Sequence, residues 1–299
     1  MPLAAFPKCF LDALVVDHSM TMAEWVDIAA TIGVDGVEMY WPTVADLDDA
    51  ELGDLKRHLE RTGLSAPMMC ASPDFTKPDP VARREELELY REVLRVAALL
   101  GCRYSRVLSG QRRPGVSLDQ GIEWAAECIG SLIPDARSLG ITLVLENHYK
   151  DGYWEWPELA QSAQAFLKLL EGIPESAWFG VNFDPSNAVV AGEDPLELLD
   201  SVKERVVTMH ASDRYLKDGT AEDLRRREAD PQTGYSQLLH HGVIGDGLND
   251  FDAIFHLLRS VDFQGWISIE DGDDPTQGAD HLRRSAAFLR TKMTLHGLP

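Results

Sequence analysis

The chain has little of three things: cysteine, long apolar runs and positive charge. Its four cysteines, Cys9, Cys70, Cys102 and Cys128, stand far apart with no CxxC pair, which excludes zinc-ribbon and thioredoxin-type motifs and leaves small, buried, reduced thiols as the expectation. No stretch reaches the ~20 apolar residues of a membrane helix. The opening MPLAAFPKCFLDALVVD is broken by Pro2, Pro7, Lys8 and Asp12, so neither a leader nor a membrane anchor is expected, and the chain reads as cytoplasmic. Against 49 acidic residues it carries only 28 basic ones, a net charge of −21. That field repels phosphate backbones and anionic lipid, so neither nucleic acid nor membrane is an expected partner. A Pro/Ser-rich linker and a composition break are also missing, and one domain spanning 1–299 is the simpler division.

What is present is an alternation. Short β-rich apolar runs are each followed by a stretch of helical period, the pattern of a parallel sheet with crossover helices. The runs are CFLDALVVD, VDGVEMYW, LSAPMMCAS, CRYSRVLSG, ITLVLENH, WFGVNFD, RVVTMHASD and GWISIED. Eight units in a chain of this length predict a single (β/α)8 TIM barrel. Helix starts fit it: Ser19 or Thr21, Ser117 and Asp119, and Pro157 at the first turn of ELAQSAQAFLKLLEG. Gly33, Gly63, Gly101, Gly140 and Gly172 fall where helices should end. The oversized connection is 212–249, after strand seven, and a long loop in a compact domain is usually functional. It is expected over the C-terminal face of the barrel, where such folds keep their sites.

Strand interiors in a parallel barrel are packed, so an ionisable residue ending an apolar run points into the mouth. Strand five ends at Glu146, six at Asp184, seven at His210 and eight at Glu270. Three carboxylates and an imidazole converging there repel one another unless a cation lies between them. An oxygen-rich set with one nitrogen suits Mn²⁺, with Mg²⁺ or Co²⁺ as alternatives, better than a structural zinc.

The segments LENH, NFDPSN, MHASDR and SIED resemble the xylose isomerase-like TIM barrels, a superfamily of ketose epimerases, inosose dehydratases and the endonuclease IV fold, over essentially the whole chain. The resemblance implies that Glu146, Asp184, His210 and Glu270 hold one divalent metal, that the two glutamates serve as acid and base, and that Arg214 lies near substrate. Asn187 stands where the epimerases commonly carry a histidine, which departs from their substrate contacts. The extra histidines of the three-metal nuclease branch are not visible. With ENHYKDGYWEW and HHGVIGDGLNDFDAIF added, the chain is similar to the large (α) subunits of bacterial C-glycoside deglycosidases, which implies a 3-oxo-glucoside substrate, a small β subunit and an oligomeric assembly.

The chemistry follows from a ketone that acidifies its neighbouring C–H bonds. His148, two residues beyond Glu146, faces the same side of an extended segment and suits a general base near pH 7, although a packing role is open. Tyr153, Trp154 and Trp156 would stack on a sugar or an aromatic aglycone, or else pack under the rim. Glu38 ends strand two and would bind a substrate hydroxyl or form an ion pair. Gln111, Arg112 and Arg113 form a loop cluster that would hold substrate or phosphate or stay solvated; His240 and His241 would cover the site. Trp25, Trp124, Trp178 and Trp266 read as core. The expected function is β-elimination that cleaves a 3-oxo-glycoside, the alternative being a ketose or inositol-derivative epimerase, isomerase or dehydratase.

Overall fold

A computed structural model of the chain describes residues 1–230, 232–272 and 274–298. Its parallel sheet runs, by hydrogen-bonded neighbours, through Gly36–Val37, Leu3–Ala5, Trp266–Ile269, Val206–Ala211, Phe179–Phe183, Thr142–Glu146, Tyr104–Val107, Met68–Cys70 and Met39–Tyr40. The two ends of that order are consecutive in the chain and separated only by Glu38. The backbone itself therefore closes the ring, and the nine segments form the eight strands of a TIM barrel. One apolar cluster extends from Leu3 to Leu298 through the barrel and the sheet–helix layer. All four cysteines are buried and none is in a disulfide. Among the described residues no helix is long and apolar enough to cross a membrane.

The first strand is not where its sequence pattern placed it. Leu3–Ala5 forms it, whereas CFLDALVVD folds into a 3₁₀ turn, Lys8–Phe10, and a π-helical turn, Asp12–Val16. Pro7 lies between the strand and these turns, and the buried positions Cys9, Phe10 and Leu14 have helical spacing. Caps explain most helix starts. Thr21 closes a capping box with Glu24 before Met22–Ala29, and Ser117 caps Leu118–Ser138. Pro157 does not start a helix. The fifth helix is Ala163–Gly172, capped by Ser162. Residues before it stay irregular because Glu158 N–H bonds to Tyr149 C=O (2.9 Å) and Leu159 N–H to Gly110 C=O (2.7 Å), which ties them to neighbouring loops. Of the four tryptophans expected in the core, Trp25 is fully buried; Trp124, Trp178 and Trp266 are half-buried, with the Arg83 guanidinium 4.1 Å above Trp124.

The 212–249 connection has structure of its own. Tyr215–Leu216 pairs antiparallel with Leu239–His240, and Ala221–Arg225 forms one short helix. Leu216, Leu224 and Leu239 pack with Val190 into a separate apolar cluster that Tyr149 also touches. The loop is thus seated beside the segment that follows strand five.

Candidate metal centre

Parallel register carries every strand to the same rim. Glu146 is the last residue of the fifth strand, opposite Asn182, and His210 lies in the seventh, opposite Ser268. Asp184 and Glu270 each follow a strand by one residue, and Asp184 also caps Pro185–Ala191 by accepting the Asn187 N–H at 2.9 Å. One donor atom from each of Glu146, Asp184, His210 and Glu270 lies within 4.8 Å of the others, and all four residues are buried. Asn147 clamps two of the strand ends: its Nδ2 donates to Asp184 C=O (2.6 Å) and its Oδ1 accepts from Asp184 N–H (2.8 Å).

The donor set fits a divalent cation. His210 Nδ1 lies 2.8 Å from Glu146 Oε1 and 2.6 Å from Glu270 Oε2. One nitrogen offers one proton, and Glu270 Oε2 is left as a buried oxygen without a hydrogen-bond donor. A divalent cation held by Glu146, Asp184, His210 and Glu270 would satisfy them all, with oxygen-rich ligation and one imidazole.

Two cations that the sequence pattern did not mark hold the outer oxygens. Arg106, inside the fourth strand, donates to Glu146 Oε2 (2.9 Å), Ser72 Oγ (2.9 Å) and Ala71 C=O (3.3 Å). Lys8 lies 3.0 Å from Glu270 Oε1. Among the protein groups alone, burial pushes the Glu146 carboxyl up, but His210 and Arg106 outweigh it and hold it below its ordinary value. Burial likewise raises Glu270, and Lys8 and His210 reverse it to well below the ordinary value. Desolvation lowers His210, yet Glu38, Glu146 and Glu270 carry it well above an ordinary imidazole. Asp184 has no cation of its own, and burial with the Glu270 and Glu146 charges pushes it up to about 7.

Above the cluster lies a cleft of about 230 Å³ lined by Phe6, Lys8, Tyr40, Arg106, His148, Asp151, Tyr153 and Glu270 among others. His148 is therefore where the strand-five spacing put it, and Arg106 and Glu270 join the cluster to the cleft. The His148 Nδ1 faces Glu158 Oε2 at 3.5 Å, and Glu158 accepts from Ser109 N–H at 2.7 Å. Asp151, not marked in the sequence, accepts from Ser72 Oγ (2.7 Å), Tyr40 Oη (3.2 Å) and Tyr153 N–H (2.9 Å). Burial raises its carboxyl, but the Ser72 and Tyr153 hydrogen bonds outweigh that and hold it below the usual value.

Several expected contacts lie elsewhere. Gln111 is buried and bonds through Oε1 to the Glu155 and Trp156 N–H groups (2.9 and 3.0 Å) and through Nε2 to Asp74 (2.8 Å), so it pins the aromatic loop. Arg113 pairs with Asp74 and lies over Trp156 at 5.0 Å, and Arg112 donates to Gln232 C=O at 3.1 Å; these contacts hold the loop together. Trp154 is buried edge-on to His148, ring centroids 6.4 Å apart, and offers no open face. Tyr153 is the ring left open at the rim, 61% exposed. Asn187 gives its backbone N–H to Asp184, and Arg214 gives its own to Ser186 Oγ (3.0 Å); neither lines the cleft. His241 lies 2.8 Å from Asp271 while His240 is exposed, so they do not form a lid. Glu38 is buried behind His210, away from the cleft.

Comparison with known proteins bears on the fold and the family. The family described as "Xylose isomerase-like TIM barrel" matches residues 26–292. An inosose dehydratase of Bacillus thuringiensis (strain Al Hakam) is 27% identical over 165 residues, 54% of this chain and 51% of that protein. The chain spans about half the length of the curated relatives it matches first. A D-tagatose 3-epimerase-like protein shares the fold with a TM-score of 0.76 at 16% identity, covering 99% of this chain and 98% of that one. The IOLI protein, solved with a binding zinc atom, superposes with a TM-score of 0.74 at 13% identity, covering 99% of each chain.

Proposed function

Since this chain belongs to the xylose isomerase-like TIM barrel family, we propose that it is a metal-dependent enzyme of sugar carbon-acid chemistry. It removes a proton from the carbon beside the ketone of a cyclic polyol or keto-sugar and expels the substituent at the next carbon, water being the favoured leaving group. The observation that carries this reading is the buried set Glu146, Asp184, His210 and Glu270 beneath a cleft that His148 lines. A divalent cation held by those four residues would act as a Lewis acid on the ketone and an adjacent hydroxyl, contributing several kcal/mol of charge stabilisation.

The chain's own groups supply the rest. With Nδ1 turned to Glu158, His148 has Nε2 left to take the proton. The C–H electron pair moves toward the carbonyl oxygen to give an enolate. As the enolate collapses to an enone, the bond to the β-hydroxyl breaks, and the proton carried by His148 leaves with that oxygen as water. Arg106 and Lys8 keep Glu146 and Glu270 ionised throughout.

Loss of water is preferred over glycoside cleavage because inosose dehydratases are among the relatives and because buried Trp154 is no platform for an aglycone. Glycoside cleavage retains the support of Tyr153, open at the rim; the proposal for that case includes an oligomer completed by a small β subunit. A cytoplasmic location is part of the same reading.

The test is incubation in D₂O with an inosose, a ketohexose and an aromatic 3-oxo-C-glucoside, with and without chelator, using Mn²⁺, Mg²⁺, Co²⁺ or Zn²⁺ as the added metal. Chelator-sensitive deuterium uptake beside the carbonyl, with an enone formed from the inosose, is expected, and Glu146→Gln is expected to abolish both and lower bound metal. Uptake with epimerisation alone, or release of the aglycone, would move the assignment to those outcomes. No uptake from any of the three by metal-loaded protein would overturn the reading.

A further inference from the structure

We propose that Glu38 is a positioning residue of the metal centre: its carboxylate accepts the Nε2–H of His210 and thereby presents Nδ1 to the cation. The inference rests on the metal site proposed above. His210 Nε2 lies 3.0 Å from Glu38 Oε2, while Nδ1, on the other side of the ring, lies 2.8 Å from Glu146 Oε1 and 2.6 Å from Glu270 Oε2. An imidazole ring has only these two nitrogens, so the partner of one fixes the role of the other.

Glu38 is itself held on two sides. The Cys70 thiol donates to the same Oε2 at 3.3 Å, and the Glu38 N–H bonds to Ala5 C=O at 3.0 Å. It is also the single residue between Gly36–Val37 and Met39–Tyr40, where the sheet closes on itself. The seam of the barrel and the support of the metal-binding imidazole are thus the same residue, which ties correct closure to the orientation of His210. Glu38 is 1% exposed and does not line the cleft, so a substrate hydroxyl does not reach it.

The three side chains Glu38, Cys70 and His210 also bring donor atoms within 4.8 Å of one another. They are one short of the four ligands of a structural zinc, and they already satisfy one another as thiol donor, imidazole donor and shared carboxylate acceptor. A charged acceptor behind a ligating histidine makes the other nitrogen a better donor, and losing such a partner typically weakens metal binding by about 10- to 100-fold.

Glu38→Gln keeps an acceptor oxygen for Nε2–H and removes the charge. Chelator-stripped wild type and variant are titrated calorimetrically with Mn²⁺ alone and with Zn²⁺ alone, and the visible spectrum of bound Co²⁺ is recorded for both. One equivalent in each protein, about 10- to 100-fold weaker in the variant, with a shifted Co²⁺ spectrum and unchanged circular dichroism, is the expected result. Equal affinities overturn the positioning role and leave the metal site standing. Wild type that takes up no metal sinks the site itself. Two equivalents of Zn²⁺, one of them lost in the variant, also overturn the inference, because Glu38 is then a ligand. If Glu38→Gln does not fold, Glu38→Asp, which keeps the charge and withdraws it by one methylene, is read by the same titration.

Discussion

Glu146 divides its two oxygens between two tasks. Oε1 faces His210 at 2.8 Å and Oε2 accepts from Arg106 at 2.9 Å, so one oxygen is free for a cation and the other is held by a fixed guanidinium. Both side chains are almost wholly buried. Burial works against the Arg106 charge, but the Glu146 carboxylate more than compensates and holds the guanidinium above its ordinary value. Arg106→Met should therefore destabilise the protein by about 1–3 kcal/mol, the cost of leaving the buried Oε2 without its donor, since Glu146 keeps His210 as its other partner. Urea denaturation of the metal-free protein measures it, and a loss under 1 kcal/mol would show that Glu146 does not depend on this partner. Arg106 also marks the limit of what the sequence makes legible at this scale. Glu146, Asp184, His210 and Glu270 stand out because each ends an apolar run. Arg106 and Lys8 do not, since a cation inside YSRV or after a proline looks like an ordinary interruption until the strand register places it against a carboxylate.

At the scale of elements, the 212–249 connection is held by one carboxylate near its own start, two residues past the strand Val206–Ala211. Asp213 Oδ2 accepts the N–H groups of Gly245 (2.7 Å) and Gly247 (3.0 Å), and Oδ1 accepts that of Asn249 (3.0 Å). The approach is close enough that a Cβ at position 247 would lie 2.4 Å from Asp213 oxygens, so glycine is required there. Asp213→Asn turns an amide N–H toward one of these donors, and a local cost of about 1–3 kcal/mol is expected. Its pH dependence has a definite sign. Burial, against those three hydrogen bonds, pushes Asp213 up to about 6, above an unfolded value of ~3.9. Between these values the native state holds a proton that the unfolded state has lost, so the Asp213 contribution to stability falls as pH rises from about 4 to 6. The stability gap between wild type and Asp213→Asn should be wider at the acid end of that window; a gap that grows with pH would mean the N–H groups dominate. Periodicity revealed the alternation of elements and the size of this loop. It missed the first strand because Leu3–Ala5 has only three residues while CFLDALVVD is longer and holds more apolar residues in all, and it misread Pro157 because the bonds of Glu158 and Leu159 to other loops are non-local.

The whole molecule carries a charge of −21 and sinks three carboxylates into one barrel mouth. A surface of that sign draws divalent cations in and disfavours anionic substrates, which agrees with a neutral polyol. Inside the mouth, Arg106 and Lys8 offset Glu146 and Glu270, leaving Asp184 as the carboxylate whose proton a cation held by the proposed site would displace. Metal binding and protonation therefore compete. Asp184, pushed up to about 7, keeps its proton in the native protein from its unfolded value of ~3.9 up to that point, so the metal-free fold loses this contribution as pH rises through the window. The metal-loaded fold does not depend on it. At a free concentration about 100 times its Kd, a bound ion adds roughly 2.7 kcal/mol of stability, and the thermal shift it produces should be larger at pH 8 than at pH 6. Melting curves with and without Mn²⁺ or Zn²⁺ at the two pH values decide the point. Equal shifts would mean that cation and proton do not compete at this site, whereas a larger shift above neutral pH would show that a bound cation displaces protons held by Asp184 and His210.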